Sequence, residues 1–263
     1  LASGLLDTIY NNLYTIVIGK VFSPTVLGVY SKANSLAQFP SFNITSVVQT
    51  VSFPVLSTIQ NEEERLADVY KRLLKLSAFI VFPLMVGLSA VADPFIRIIL
   101  TDKWVETIPI LQIICFSMMW YPINSINLNV LQVKGRSDYF LKLEVIKKVQ
   151  GVLFLCLTVP MGIIPMCFGN IINTLLNLIW NTYYTKKLIN YGFFEQMKDL
   201  LPILIHSLVM GGIVVLIVNY MMTIWLKLIV GVLCGMIYYI LVAYIMKFPE
   251  MNELLSILKL KRK

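Results

Sequence analysis

Residues 27–60 read LGVYSKANSLAQFPSFNITSVVQTVSFPVLSTIQ, and the fold turns on how this stretch is taken. It is too apolar for a solvent-facing surface and too polar for a plain membrane anchor. Lys32, Asn34, Asn43 and Gln49 lie inside it, with Pro40 and Pro54. A charge at membrane depth is costly, so it faces a bundle interior or a watery cavity. Proline in such a segment suits a bent helix whose freed backbone groups are satisfied by neighbours. Both features describe a helix that lines a pathway.

The bulk composition agrees. The chain of 263 residues is 58% hydrophobic and only 14% charged, against about 25% charge in soluble domains. This is the composition of an all-α, polytopic transmembrane helix bundle. About 20 apolar residues cross a bilayer, and eight candidate spans can be cut, near 2–20, 26–59, 62–91, 105–133, 138–158, 163–189, 196–220 and 223–247. Asn61 with Glu64 suggests a capping box opening the third span. Gly135–Ser137 breaks the chain before the fifth, and Pro160 with Gly162 makes a tight turn before the sixth. Pro94–Trp104 is short, apolar and interrupted by Arg97, Asp102 and Lys103, which suits an interfacial segment. The tail from Phe248 holds the amphipathic MNELLSILKL and ends in KRK.

The formal net charge of +8 is explained by topology. Seventeen of the 22 lysines and arginines fall on one side of this cutting. They are Arg65, Lys71, Arg72 and Lys75; Lys134, Arg136, Lys142, Lys147 and Lys148; Lys186, Lys187 and Lys198; and Lys247, Lys259, Lys261, Arg262 and Lys263. The other side has Lys20, Arg97, Lys103 and Lys227, and Lys32 is within a span. The rich side is cytoplasmic by the positive-inside rule, which puts both ends of the chain there and argues against nucleic acid as a partner. The N-terminus carries no Met, basic n-region or cleavage site and starts inside an apolar segment, so a preceding part of the protein is expected.

Polar residues recur at helical spacing within the spans. Ser3, Asp7, Asn11 and Tyr14 share one face of the first, and Lys32, Ser35, Asn43, Ser46 and Thr50 one face of the second. Counting back from the turn between them sets Lys32 level with Tyr14 or Asn11, so Asp7 and Lys32 read as two charges at different depths of one polar cleft. Lys32 would attract a pyrophosphate or acidic sugar, and Asp7 would hold a coupling cation or proton. The alternatives are that Lys32 snorkels to the outer interface and that Asp7 sits near the inner one. Asn124, Asn127 and Asn129 follow Pro122 in the fourth span and suit the lining of a kinked helix. Asn170, Asn173, Asn177 and Asn181 form a row in the sixth, read first as interhelical glue and second as contacts for sugar hydroxyls. His206, the only histidine, reads as an interhelical donor before a proton carrier. Cys115, Cys156, Cys167 and Cys234 lack metal-ligand spacing and read as small buried hydrophobes. No cofactor, metal site or catalytic set is expected, and the chain does not read as an enzyme.

The opening stretch resembles the oligosaccharide flippase (polysaccharide exporter) family. That family's pattern, GxYSxAxxLxxxP followed by FPxLSxxQ, is met here by Gly28, Tyr30, Ser31, Ala33, Leu36 and Pro40, then Phe53, Pro54, Leu56, Ser57 and Gln60. The segments ADPFIRIILTDKW, PILQI and GRSD follow in the family's order. The likeness is close over about the first 150 residues and loose beyond. It implies an exporter fold of two six-helix lobes around a cavity, of which residues 1–190 would be the second lobe, 191–247 an appended pair and 248–263 a basic cytoplasmic tail. It implies movement of undecaprenyl-pyrophosphate-linked oligosaccharide across the bacterial inner membrane, for polysaccharide, O-antigen or capsule synthesis. A coupling proton or Na+ and a polysaccharide polymerase are candidate partners. A cation-coupled small-molecule exporter, a peptidoglycan-precursor flippase, a membrane-embedded polymerase or acyltransferase, and a non-transporting scaffold are the competing readings. The enzyme reading expects a sizeable outer loop or a clustered His/Arg/Asp set, and the sequence has neither.

Overall fold

The computed structural model describes the backbone of residues 2–260 and the side chains of residues 12–254. Eleven α-helices run through them, and no strand occurs among the described residues. They are α1 (Ala2–Val21), α2 (Pro24–Thr58), α3 (Glu63–Ala90), α4 (Ala92–Ile99), α5 (Thr107–Met118), α6 (Tyr121–Val133), α7 (Ser137–Thr158), α8 (Ile163–Ile189), α9 (Phe193–Tyr220), α10 (Ile224–Ile245) and α11 (Pro249–Leu260). Single 3₁₀ turns lie at Asp102–Trp104 and Val159–Met161.

Helix breaks follow the chain's local chemistry. Ser23 caps α2 by accepting a hydrogen bond from the Val26 N–H, and Pro24 occupies the first turn, where its missing N–H costs nothing. Pro40 and Pro54 lie inside α2 without ending it. Gly162 at φ 108° occupies backbone space that favours glycine, and this separates α7 from α8. Asn190 at φ 52° ends α8 in the left-handed conformation.

Three expectations need correction here. The expected fourth span is two helices, divided at Met119–Trp120, and Pro122 opens α6 instead of kinking the middle of one long helix. The break is stabilised from outside: Ser41 of α2 donates to the carbonyl of Met118, an end carbonyl that the helix cannot satisfy itself. The third span opens at Glu62 with no side-chain cap, so the Asn61–Glu64 capping box does not form. Cys156 is exposed on the outer face of α7, whereas Cys115 and Cys167 are buried as expected.

Helix α3 is the centre of the bundle and packs against α2, α5, α6 and α9. Its Leu66, Tyr70, Leu74, Phe82 and Met85 are fully buried. Helices α7 and α8 pair, α8 also meets α5 and α6, and α10 lies on α9. The close approach of α9 to α3 depends on Gly211, where a Cβ would overlap Val86 Cγ1. Four helices (α3, α8, α9 and α10) are long and apolar enough to cross a membrane by length and composition. Their outer faces carry exposed Ile, Leu and Val side chains, as for Ile205 and Leu216 on α9 and Ile237 and Leu241 on α10. Such a surface is matched to lipid. The chain is a multi-pass membrane protein.

A polar cavity among α2, α5, α6, α7 and α8

A cavity of about 440 Å³ opens between α2, α6, α7 and α8, with the end of α5 at its rim. Its wall is unusually polar for a membrane bundle. Helix α6 contributes Asn124, Ser125, Asn129 and Gln132, α8 contributes Asn170, Thr174, Asn177 and Asn181, and α2 contributes Gln49. Spacings of three and four residues stack the α8 amides on one helical face. Tyr121, Leu128 and Phe140 supply apolar contact.

Among the described residues, the charged feature of this wall is on α7. Glu144 and Lys147 both line the cavity, one helical turn apart, with Lys147 Nζ 2.6 Å from Glu144 Oε1. Their side chains are only 25% and 13% exposed, respectively. Lys148 Nζ stands 4.0 Å from Glu144 Oε2. One carboxylate thus sits between two ammonium groups. Removed from bulk water, such charges act over longer range than at a surface.

The amides around it are partly committed to each other. Gln150 Nε2 donates to Asn173 Oδ1 at 2.8 Å and Asn177 Oδ1 at 3.3 Å, and its Oε1 accepts from Trp180 Nε1 at 2.8 Å. Asn181 Nδ2 donates to Asn124 Oδ1 at 2.8 Å, while Asn181 Oδ1 is buried with no donor. Gln49 Nε2 donates to Ser125 Oγ, and Asn129 Nδ2 to Ser52 Oγ at 3.1 Å. The asparagine row is therefore both interhelical glue and cavity wall.

Of the residues singled out from the sequence, Asn124 lines this cavity. Asn127 is instead fully buried next to it, where its amide and that of Gln196 exchange hydrogen bonds at 3.2 and 3.0 Å. Lys32 is half-buried, Ser35 and Asn43 are exposed on α2, and none of the three is among these lining residues. Asn43 Nδ2 donates to the Phe39 carbonyl of its own helix. Tyr14 is half-buried on α1. The Asp7 and Asn11 side chains lie outside the described residues.

Charge counting takes Lys147 with the basic residues expected on the cytoplasmic side, and it does not single out Glu144. The signal that could have found them is a Glu, Lys and Gln at 144, 147 and 150, a strict three-residue step into an apolar helix.

His206 does what a lone histidine in a bundle commonly does. Its Nε2 donates to the Tyr239 carbonyl at 3.2 Å, and its ring stacks on Tyr239 and Phe248. Arg97 is neutralised by Asp93 and Asp102 at 2.8 and 2.6 Å, in keeping with a compact interfacial turn.

Comparison with known proteins agrees with this architecture. Residues 1–109 match the family described as polysaccharide biosynthesis protein. The chain is 30% identical over 138 residues to the teichuronic acid biosynthesis protein TuaB of Bacillus subtilis, a match covering 52% of this chain and 29% of that protein. It is 28% identical over 146 residues to the lipopolysaccharide biosynthesis protein WzxC of Escherichia coli, covering 56% of this chain and 30% of that one. Among solved structures, it superposes on the lipid II flippase MurJ in an inward closed conformation with a TM-score of 0.67. That match covers 93% of this chain and 54% of MurJ at 18% identity, and shows a shared fold that includes α9 and α10. These matches bear out the resemblance to the polysaccharide exporter family. The chain spans less than a third of the length of either curated relative.

Proposed function

We propose that this chain is part of a flippase that moves undecaprenyl-pyrophosphate-linked oligosaccharide from the cytoplasmic to the outer leaflet of the bacterial inner membrane. It would serve the synthesis of a cell-surface polysaccharide. The observation that carries this reading is the amide-lined cavity with its Glu144–Lys147–Lys148 cluster, set inside a bundle with an apolar exterior. Amides and hydroxyls match sugar hydroxyls, and a desolvated lysine matches a pyrophosphate. An apolar exterior leaves the lipid tail in the bilayer while the headgroup crosses.

In this proposal residues 1–190 form one lobe, 191–247 an added pair of spans and 248–263 a cytoplasmic tail. Helices α1, α2 and α7 and the broken α5–α6 pair complete eight spans. Both ends of the chain face the cytoplasm, as the lysine and arginine distribution favours. Lys32, Tyr14, Ser35 and Asn43 would face the partner lobe, and Asp7 and Asn11, whose side chains lie outside the described residues, would belong to the same substrate path. Rocking one lobe against the other would give alternating access, coupled to a proton or Na+.

The test is transport by the full-length protein in liposomes, with a fluorescent lipid-linked oligosaccharide and a leaflet-specific quencher. Wild-type protein should expose the label in the opposite leaflet, and Lys147→Ala should slow this by an order of magnitude or more. A folded protein that moves no lipid-linked sugar would refute the proposal and leave the small-molecule exporter or a scaffold.

A further inference from the structure

A second cavity, of about 290 Å³, lies where α3, α9, α10 and α11 meet and shares no lining residue with the amide-lined one. Its wall carries Lys75, Lys198, Lys247, Asp199 and Glu250, alongside Pro202, Ile203, Met246 and Phe248. The charges do not cancel internally. Lys75 Nζ is 2.7 Å from Glu250 Oε1. Asp199 is occupied from outside the cavity, by Lys71 at 3.0 Å and by the Tyr191 hydroxyl at 2.6 Å. Lys198 and Lys247 are exposed and form no ion pair among the described residues. Two positive charges are left at the mouth.

The floor has the opposite deficiency. The Glu250 side chain is 3% exposed, and its Oε2 is buried without any donor. A buried carboxylate oxygen lacking a hydrogen bond is costly. The last torsion of a glutamate is soft, so this oxygen can turn to the opening while Oε1 remains on Lys75. The cavity's apolar wall continues into the lipid-facing surface, since Leu201 and Ile205 of α9 and Ile245 and Met246 at the end of α10 are all exposed.

We propose that this cavity binds a membrane phospholipid whose headgroup carries both a phosphate and a primary ammonium, as in phosphatidylethanolamine. Lys198 and Lys247 meet the phosphate. The ammonium donates an N–H to Glu250 Oε2. The acyl chains follow the Leu201–Ile205 and Ile245–Met246 surface. Phosphatidylcholine carries no N–H donor, and phosphatidylglycerol has no cation for the carboxylate, so each satisfies only part of the site. The occupied site would tie α11 to α9 and α10 through a lipid.

The experiment is native mass spectrometry of the full-length protein, released from micelles with equal amounts of the three lipids bearing identical acyl chains. Phosphatidylethanolamine adducts should exceed phosphatidylcholine adducts about tenfold. Glu250→Gln should bring them to parity. Lys198→Ala with Lys247→Ala should lower phosphatidylethanolamine and phosphatidylglycerol together. Glu253→Gln is the control, because Glu253 pairs with Arg72 of α3 and lies outside the cavity wall; it removes an α11 carboxylate outside the cavity and should keep the preference. Equal retention of choline and ethanolamine lipids by wild type, a preference that survives Glu250→Gln, or one lost in Glu253→Gln would each overturn the proposal. Displacement of the lipid by millimolar soluble phosphoethanolamine would show that the headgroup alone is recognised and would overturn the lipid assignment. The readout involves no transport, so it stands or falls apart from the flippase reading.

Discussion

The Tyr70 hydroxyl donates to Asn127 Oδ1 across 2.7 Å, and both side chains are fully buried. The same oxygen accepts from Thr185 Oγ1 at 3.0 Å and Gln196 Nε2 at 3.0 Å. Four helices, α3, α6, α8 and α9, therefore meet at one amide. Tyr70→Phe removes one donor but leaves the Asn127–Gln196 exchange intact, and should cost about 0.5–1.5 kcal/mol. Asn127→Ala removes the acceptor of the buried Tyr70 hydroxyl and the donor to the buried Gln196 Oε1, and should cost about 2–3 kcal/mol or more. Thermal unfolding in micelles checks the order, and Tyr70→Phe added to Asn127→Ala should cost less than the sum. A larger loss from Tyr70→Phe than from Asn127→Ala would refute the hub.

Gly211 gives a second test, of packing instead of polarity. A methyl group there overlaps Val86 Cγ1, and without a hydrophobic drive between membrane helices, close backbone approach is what holds α3 and α9 together. Gly211→Ala should destabilise by about 1–3 kcal/mol. Val86→Ala in the same protein should restore most of that loss, since it removes the overlapping atom. The double variant being no more stable than Gly211→Ala would place the strain elsewhere.

Lys147 and Lys32 make a matched pair for transport. Lys147 stands in the cavity beside Glu144 at 13% side-chain exposure, while Lys32 is half-buried on α2 and is not among the lining residues. A charge is worth more where water is scarce, so Lys147→Ala should slow transport of a pyrophosphate-linked sugar more than Lys32→Ala. Glu144→Gln keeps the shape and removes the carboxylate beside Lys147, which lessens repulsion of an anionic headgroup, so it should tighten substrate binding while slowing release. Initial rates at several substrate concentrations separate the two effects. Equal losses from Lys147→Ala and Lys32→Ala would remove the special role of the α7 cluster.

The helices were legible because membrane spans announce themselves by run length. Seven of the expected spans fall within a few residues of α1, α2, α3, α7, α8, α9 and α10. The α5–α6 break was not legible, because Met119 and Trp120 are themselves good span residues and the Ser41 hydrogen bond that stabilises the break comes from 77 positions away. The candidate site was legible in part. Helical spacing found the amide row of α8 and the asparagines of α6, but it cannot say that Asn124 faces space and Asn127 a tyrosine three residues on. Glu144 was hidden by its neighbours: a carboxylate among Lys142, Lys147 and Lys148 reads as an interface until packing shows which of them turns inward.

Helix α11 gives the last prediction. It is held to α3 by Lys75–Glu250 and Arg72–Glu253. The Arg72 side chain is 65% exposed, so that pair contributes little in water and salt. Glu250 is different, because removing Lys75 would leave a buried carboxylate with no cation. Lys75→Met should cost about 3 kcal/mol or more, and Lys75→Met with Glu250→Gln should recover most of it, since a neutral amide replaces the stranded charge. Arg72→Met should change stability by under about 1 kcal/mol. Limited proteolysis near Lys247, which sits at φ 53° between α10 and α11, reports the same order, with Lys75→Met cut fastest. Equal cutting of the Arg72 and Lys75 variants would show that the clasp is a surface effect and that Glu250 is not held in a dry site.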